Sequence, residues 1–142
     1  MSPATLFQIA NPLALVGWLI LIAGIVTNRP LWRDRIAGLA IPLALAIFYT
    51  ILILAFWWGA EGGFDSLENV QKLFTSPWAA LAGWVHYLAY DLFIGALVSR
   101  QIMQRGLSRL LLIPILPLAF LFGPIGFLLA QALILSRKGD AN

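Results

Sequence analysis

The sequence predicts an all-α integral membrane protein: four transmembrane helices in a bundle, the fourth broken by prolines. A short amphipathic helix is expected on the surface between the second and third spans. Three observations carry this. The chain of 142 residues is 61% hydrophobic and 11% charged, against roughly 25% charged in an ordinary soluble domain. It contains four apolar runs, and a helix needs roughly 20 such residues to cross a hydrocarbon core of ~30 Å. The arginines fall in short segments between those runs, where membrane topology accounts for them. One membrane domain over residues 1–142 is the natural organisation. The net charge of +3 is therefore no nucleic-acid signal, and the absence of cysteine excludes disulfides and thiolate chemistry.

The first span is expected over Leu6–Thr27, with Asn11-Pro12 as an N-cap followed by a first-turn proline. Gln8 and Asn11 then lie near the membrane surface or in a bundle mouth. No basic segment precedes this run, so it reads as a retained anchor rather than a cleaved signal. NRPLWRDR (Asn28–Arg35) follows as an arginine-rich anchor with an interfacial tryptophan. The second span covers Ile36–Trp58, kinked at Pro42, with Tyr49 and Thr50 as interior polar groups and Phe56, Trp57 and Trp58 as an aromatic belt. In the polar stretch Gly59–Ser76, Asp65 and Glu68 match a capping-box spacing, and Leu67, Val70, Leu73 and Phe74 recur at helical intervals, as on a surface helix. Ser76-Pro77 launches the third span, Pro77–Arg100. Gly106 ends that helix in a basic turn, and the fourth span runs Arg109–Ser136 through Pro114, Pro117 and Pro124. The tail RKGDAN reads as solvated. No long internal repeat is present, so an inverted-repeat transporter is not supported.

With four spans, the first and third connections share a side and hold Arg29, Arg33, Arg35, Arg100, Arg105 and Arg109. The other side has Lys72, Arg137 and Lys138 beside three acids. The positive-inside rule then places both termini and Gly59–Ser76 outside the cytoplasm.

Chemistry concentrates in the third span. His86 and Asp91 are the only histidine and the only intramembrane carboxyl, and a carboxylate at bilayer depth costs about 2.5–3.5 kcal/mol even on lenient scales. Five residues advance a helix by ~500°, so the two point ~140° apart with a ~7.5 Å rise. They cannot bond along one helix, yet both can border one interior. Tyr90 lies four residues after His86 and Tyr87 four before Asp91, which gives each a phenol on its own face. Such groups can join helices by hydrogen bonds worth ~0.6–2 kcal/mol. Away from water, a carboxyl can also serve as an acid and an imidazole as a base. Gly83 and Gly95 allow close helix approach. A metal site is not expected, because one His and one Asp cannot supply three ligands.

GWVHYLAYDLFIG and LPLAFLFGPIGFLL, with LFQIANPLALVGWLIL and GGFDSLENVQKLFTSPWAALAGW, resemble the plant abscisic-acid-deficient-four proteins and their bacterial relatives. Those are small four-span membrane proteins linked to neoxanthin formation. No plastid transit segment is read ahead of the first span, so the expected setting is a bacterial inner membrane. What the resemblance implies is a cofactor-independent carotenoid or isoprenoid isomerase that turns a violaxanthin-type epoxide into an allenic alcohol. On that reading Asp91 is the acid and His86 the base. Tyr87, Tyr90, Tyr49, Trp84 and Gln131 position the substrate, and Gly95, Gly123, Pro124 and Gly126 shape the cavity. The expected partners are membrane lipids and an apolar polyene or isoprenoid, with a homo-oligomer or a pigment-enzyme partner left open. A non-catalytic carotenoid- or lipid-binding protein, or a partner subunit of a pigment enzyme, is the alternative. Proton or small-solute passage is a third reading, weakened because the other spans hold no chain of ionisable groups.

Overall fold

The computed structural model describes residues 1–136, and the expected solvated tail lies outside them. Helices dominate: α1 (Pro3–Val26), a π-helical segment (Leu31–Ala40) running into α2 (Ile41–Phe56), α3 (Leu67–Phe74), α4 (Pro77–Gln104), α5 (Leu112–Leu121) and α6 (Gly123–Ser136). Three helical stretches, Pro3–Val26, Leu31–Gly59 and Pro77–Gln104, are long and apolar enough to cross a membrane.

The first helix starts earlier than expected. The Ser2 hydroxyl accepts from the Thr5 N–H at 3.2 Å, and Pro3 fills the first helical position, where a missing N–H costs nothing. Pro12 is carried inside the helix, and Asn11, expected as the cap, instead accepts from the indole N–H of Trp84 at 2.7 Å. The connection after α1 is also shorter than expected, because helix resumes at Leu31. Residues Leu31–Ala40 wind with wide i→i+5 turns that give way to α2 at Ile41. Pro42 therefore sits at a helix start instead of kinking a helix interior. Arg33, expected as an anchor, is buried. Its Nε and Nη2 donate to Asp34 at 2.8 and 2.6 Å, and its Nη1 meets the Met103 sulfur at 2.9 Å.

The surface helix α3 is capped by Ser66 rather than Asp65. The Ser66 hydroxyl accepts from the Asn69 N–H, and the Asp65 carboxylate takes the Asn69 side chain. Helix α4 agrees closely with the sequence. Ser76 caps it with Pro77 at its first position, and Gly106 at φ +67 closes it. The Leu107 N–H bonds the Ile102 carbonyl and the Gly106 N–H the Met103 carbonyl, the pairing that favours glycine at a helix end.

Helix α4 is the axis of the bundle. Helix α2 runs antiparallel to it: Phe56 stacks on Trp78 at 3.7 Å, Tyr49 faces His86, and Gly38 meets Ala96. Helix α1 runs parallel to it, from Trp84 beside Asn11 to Gly95 beneath Trp18.

The fourth apolar run departs from the expected span. It consists of two short helices separated by Phe122, whose φ −146 and ψ 65 leave the helical region. Helix α5 rises from Arg109, which bonds the Ile25 carbonyl, to Phe120, which packs on Trp18. Helix α6 then returns. Gly123 lies at Asp91, Gly126 is pressed on the Ala119 backbone, and Gln131 donates to Gln101 at 2.8 Å. The register on α4 advances with α6, so the two arms form an antiparallel hairpin. Ten residues of α5 reach ~15 Å, about half a hydrocarbon core. Ser136 consequently ends near the C-terminal end of α4, toward the arginine-rich connections. The break is made by chain reversal at Phe122. Pro124 lies in the first turn of α6, where a proline fits, and Ile125 and Gly126 donate to the Phe122 carbonyl.

Candidate functional site

Helix α4 carries the titratable pair, and its neighbours decide what each member faces. On the α2 side, His86 lies in an aromatic cluster. Its ring centroid is 4.7 Å from Tyr90, 5.7 Å from Tyr49 and 6.2 Å from Tyr87. The four-residue spacing of His86 and Tyr90 produces the shortest of these contacts. Tyr49 arrives from α2 because the helices are antiparallel and paired at this level. A cavity of about 270 Å³ opens beside His86, walled by Tyr49, Trp57, Phe64, Phe74 and Gly83. Phe74, from the surface helix, sits where a Cβ at Gly83 would stand. A second cavity of about 230 Å³ adjoins Tyr90 and continues between Pro42 and Phe93 toward the arginine-rich end.

Asp91 faces the other way, midway along α4, toward the hairpin tip. A Cβ at position 123 would run into its carboxylate, so glycine is what permits this approach. The site is half-buried rather than sealed. Above it on α4, Tyr87 and Trp84 are 59% and 45% exposed, because the hairpin stops below them. The result is a bay with the hairpin tip as its floor.

The structure thus brings His86, Tyr49, Tyr87 and Tyr90 together, and separately joins Asp91 to Gly123. No hydrogen bond links His86 with Asp91 among the described residues, as their angular separation on one helix requires. Tyr87 bridges the two sides: it contacts His86 and lies one turn before Asp91. Trp84 is drawn to α1, where it bonds Asn11 and packs on Phe7 at 5.9 Å. Gln131 is engaged with Gln101, far from the aromatic cluster. Gly95 lies under the Trp18 ring, 2.6 Å from the place of its Cβ, and serves the packing of α1 on α4. Gly126 and Pro124 shape the hairpin itself. Phe74 and Gly83 join the His86 cavity across the α3–α4 turn. Gly83 was legible as a small residue on α4, but its partner was not. No group of three or more metal-ligating side chains occurs among the described residues.

Compared with known proteins, residues 5–129 match the profile of the ABA DEFICIENT 4-like family. No curated protein and no solved structure matches the chain.

Proposed function

Because the chain belongs to the ABA DEFICIENT 4-like family, we propose that it acts on a carotenoid or related isoprenoid inside the membrane, as an isomerase needing no redox cofactor. The observation that carries this reading is the seat of Asp91, a carboxyl midway along the apolar helix α4, held against Gly123 and open to one side. The reaction is the rearrangement of a xanthophyll ring epoxide to an allenic alcohol. Asp91 delivers a proton to the epoxide oxygen as the carbon–oxygen bond opens. His86 removes a proton from the adjoining polyene carbon, and the electron pair left behind becomes the second double bond of the allene. One proton enters and one leaves, so the product is an isomer. Tyr87, between the two groups, orients the oxygen, and Tyr49 and Tyr90 flank the polyene. Because the epoxide oxygen and the proton-bearing carbon belong to one ring end group, the end group sits at Asp91 and Tyr87, and the Tyr87 phenol relays the proton from carbon to His86 across the edge of α4.

We place the chain as one domain in a bacterial inner membrane, with three crossings and a hairpin that enters and leaves on the cytoplasmic side. The arginines of both short connections and the end of α6 then share that side, as the positive-inside rule favours. Pro3 and the α3 segment face outward.

The separation of His86 from Asp91 favours a second reading, a non-catalytic carotenoid-binding protein in which the aromatic cluster holds a polyene. Expression in cells that make epoxidised carotenoids distinguishes the two. New allenic isomers are expected, and pigment that co-purifies unchanged, with no new isomer, would replace the enzyme with the binder.

A further inference from the structure

On the flank away from His86, α1 and α5 border a continuous, open apolar trough. Two cavities, of about 380 Å³ and about 410 Å³, share Ile22, Leu116 and Pro117. One opens at Arg109 and the other reaches Trp18 and Phe120, whose rings meet edge to face at 5.4 Å. Along α1 the trough runs from Val26 to Leu15, ~16 Å at the helical rise. That is about half the hydrocarbon thickness, the depth of one acyl chain. It ends where α5 ends, which leaves no continuation for a rigid polyene spanning the whole bilayer.

The mouth is cationic. The Arg109 Nη1 donates to the Ile25 carbonyl at 3.0 Å, which fixes the guanidinium at the end of α1. A guanidinium has five N–H donors, so others remain for an anion. Arg29 lies at the same end of α1: its backbone N–H bonds the Gly24 carbonyl at 2.8 Å, and its guanidinium lies 5.8 Å from the Trp32 ring centroid. Asp34, the acid at this end among the described residues, is taken up by Arg33.

We propose that this trough binds one anionic phospholipid, with an acyl chain along Ile22, Leu116 and Pro117 and the phosphate on Arg109. Arg29 supplies the second positive charge. A zwitterionic lipid of the same chains fills the trough equally well but lacks the net charge for the mouth. This assignment is independent of the His86 and Asp91 chemistry.

The test titrates full-length, delipidated protein in neutral detergent with phosphatidylglycerol or phosphatidylcholine of identical chains. Bound lipid is counted by native mass spectrometry and melting temperature is followed in parallel. Phosphatidylglycerol should bind one per chain and about tenfold more tightly, the ratio expected of one charge-assisted contact. Arg109→Gln should bring that ratio near one. Ile22→Trp, which fills the trough and leaves the arginines in place, should weaken both lipids about tenfold. Leu128→Trp, on the exposed face of α6, should change neither. Equal affinity for both lipids in the parent protein overturns the proposal, and so does parental binding by Ile22→Trp. Because Arg109 also caps α1, a poorly folded Arg109→Gln protein passes the decision on charge to Arg29→Gln. That variant should lower the ratio, and an unchanged ratio overturns the proposal.

Discussion

At the scale of single residues, Asp91 and His86 can be tested by changes that preserve shape and hydrogen bonding. Asn in place of Asp91 still meets the Gly123 backbone but cannot deliver a proton at working pH. His86→Gln keeps polarity and removes the titratable ring. Both variants should stay folded, with melting close to the parent, while allenic product falls at least ~100-fold, the lower end for general acid–base catalysis. Near-normal turnover in Asp91→Asn would remove it from the acid role. Gly123→Ala probes the same seat from the opposite wall: its methyl displaces the carboxyl, so turnover should fall while the α5–α6 hairpin remains intact. The gathering of His86 with Tyr87 and Tyr90 was legible from sequence, since four-residue spacing is a local fact. The partner of Asp91 was not. Position 123 comes to it across a chain reversal that no local pattern encodes. The partners of Trp84 and Gln131 were not legible for a related reason, because polar tips near an apolar surface take whichever partner the packing brings.

At the scale of elements, the helix starts and stops written by serine, proline and glycine were readable at α4, where cap, first-turn proline and closing glycine all match the structure. They misled at Asn11-Pro12, where Ser2-Pro3 offers the same signal earlier. The fourth run was read as one kinked span because hydropathy is the same for a bent helix and a folded hairpin, both arms being apolar. What decides is Phe122 leaving helical geometry and Gly126 lying on Ala119. Two substitutions separate the contributions. Pro124→Ala occupies a first-turn position that Ala also suits, and it should change stability by less than about 1 kcal/mol. Gly126→Leu forces a side chain into the Ala119 backbone and should destabilise by about 1–3 kcal/mol, the range for overpacking. Denaturation in mixed micelles reads both. Equal tolerance of the two would contradict the close hairpin.

At the scale of the whole molecule, the number of crossings sets where the chain ends. Sequence made the membrane class and the charge asymmetry plain, but orientation depends on parity, so the proposed three crossings and the four read from sequence put the far end on opposite sides. The cysteine-free chain allows a direct check. Single cysteines at Ser66, Ser108 and Ser136 should divide under an impermeant thiol reagent in intact cells. Ser66→Cys should be labelled, and the other two should be protected until the membrane is opened. Labelling at Ser136→Cys without permeabilisation would restore a fourth crossing.

The half-depth reach of the hairpin has a consequence for supply. In the proposed orientation its arms would fill the inner leaflet beside α4, and the exposed Tyr87 and Trp84 would face lipid of the outer leaflet above Asp91. Lateral diffusion can therefore bring a substrate end group to Asp91 from the outer leaflet, while the inner leaflet is walled off. A substrate confined to one monolayer should turn over only when that monolayer is the outer one. In proteoliposomes of mixed orientation loaded from outside, about half of the enzyme should then stay idle until the bilayer is scrambled.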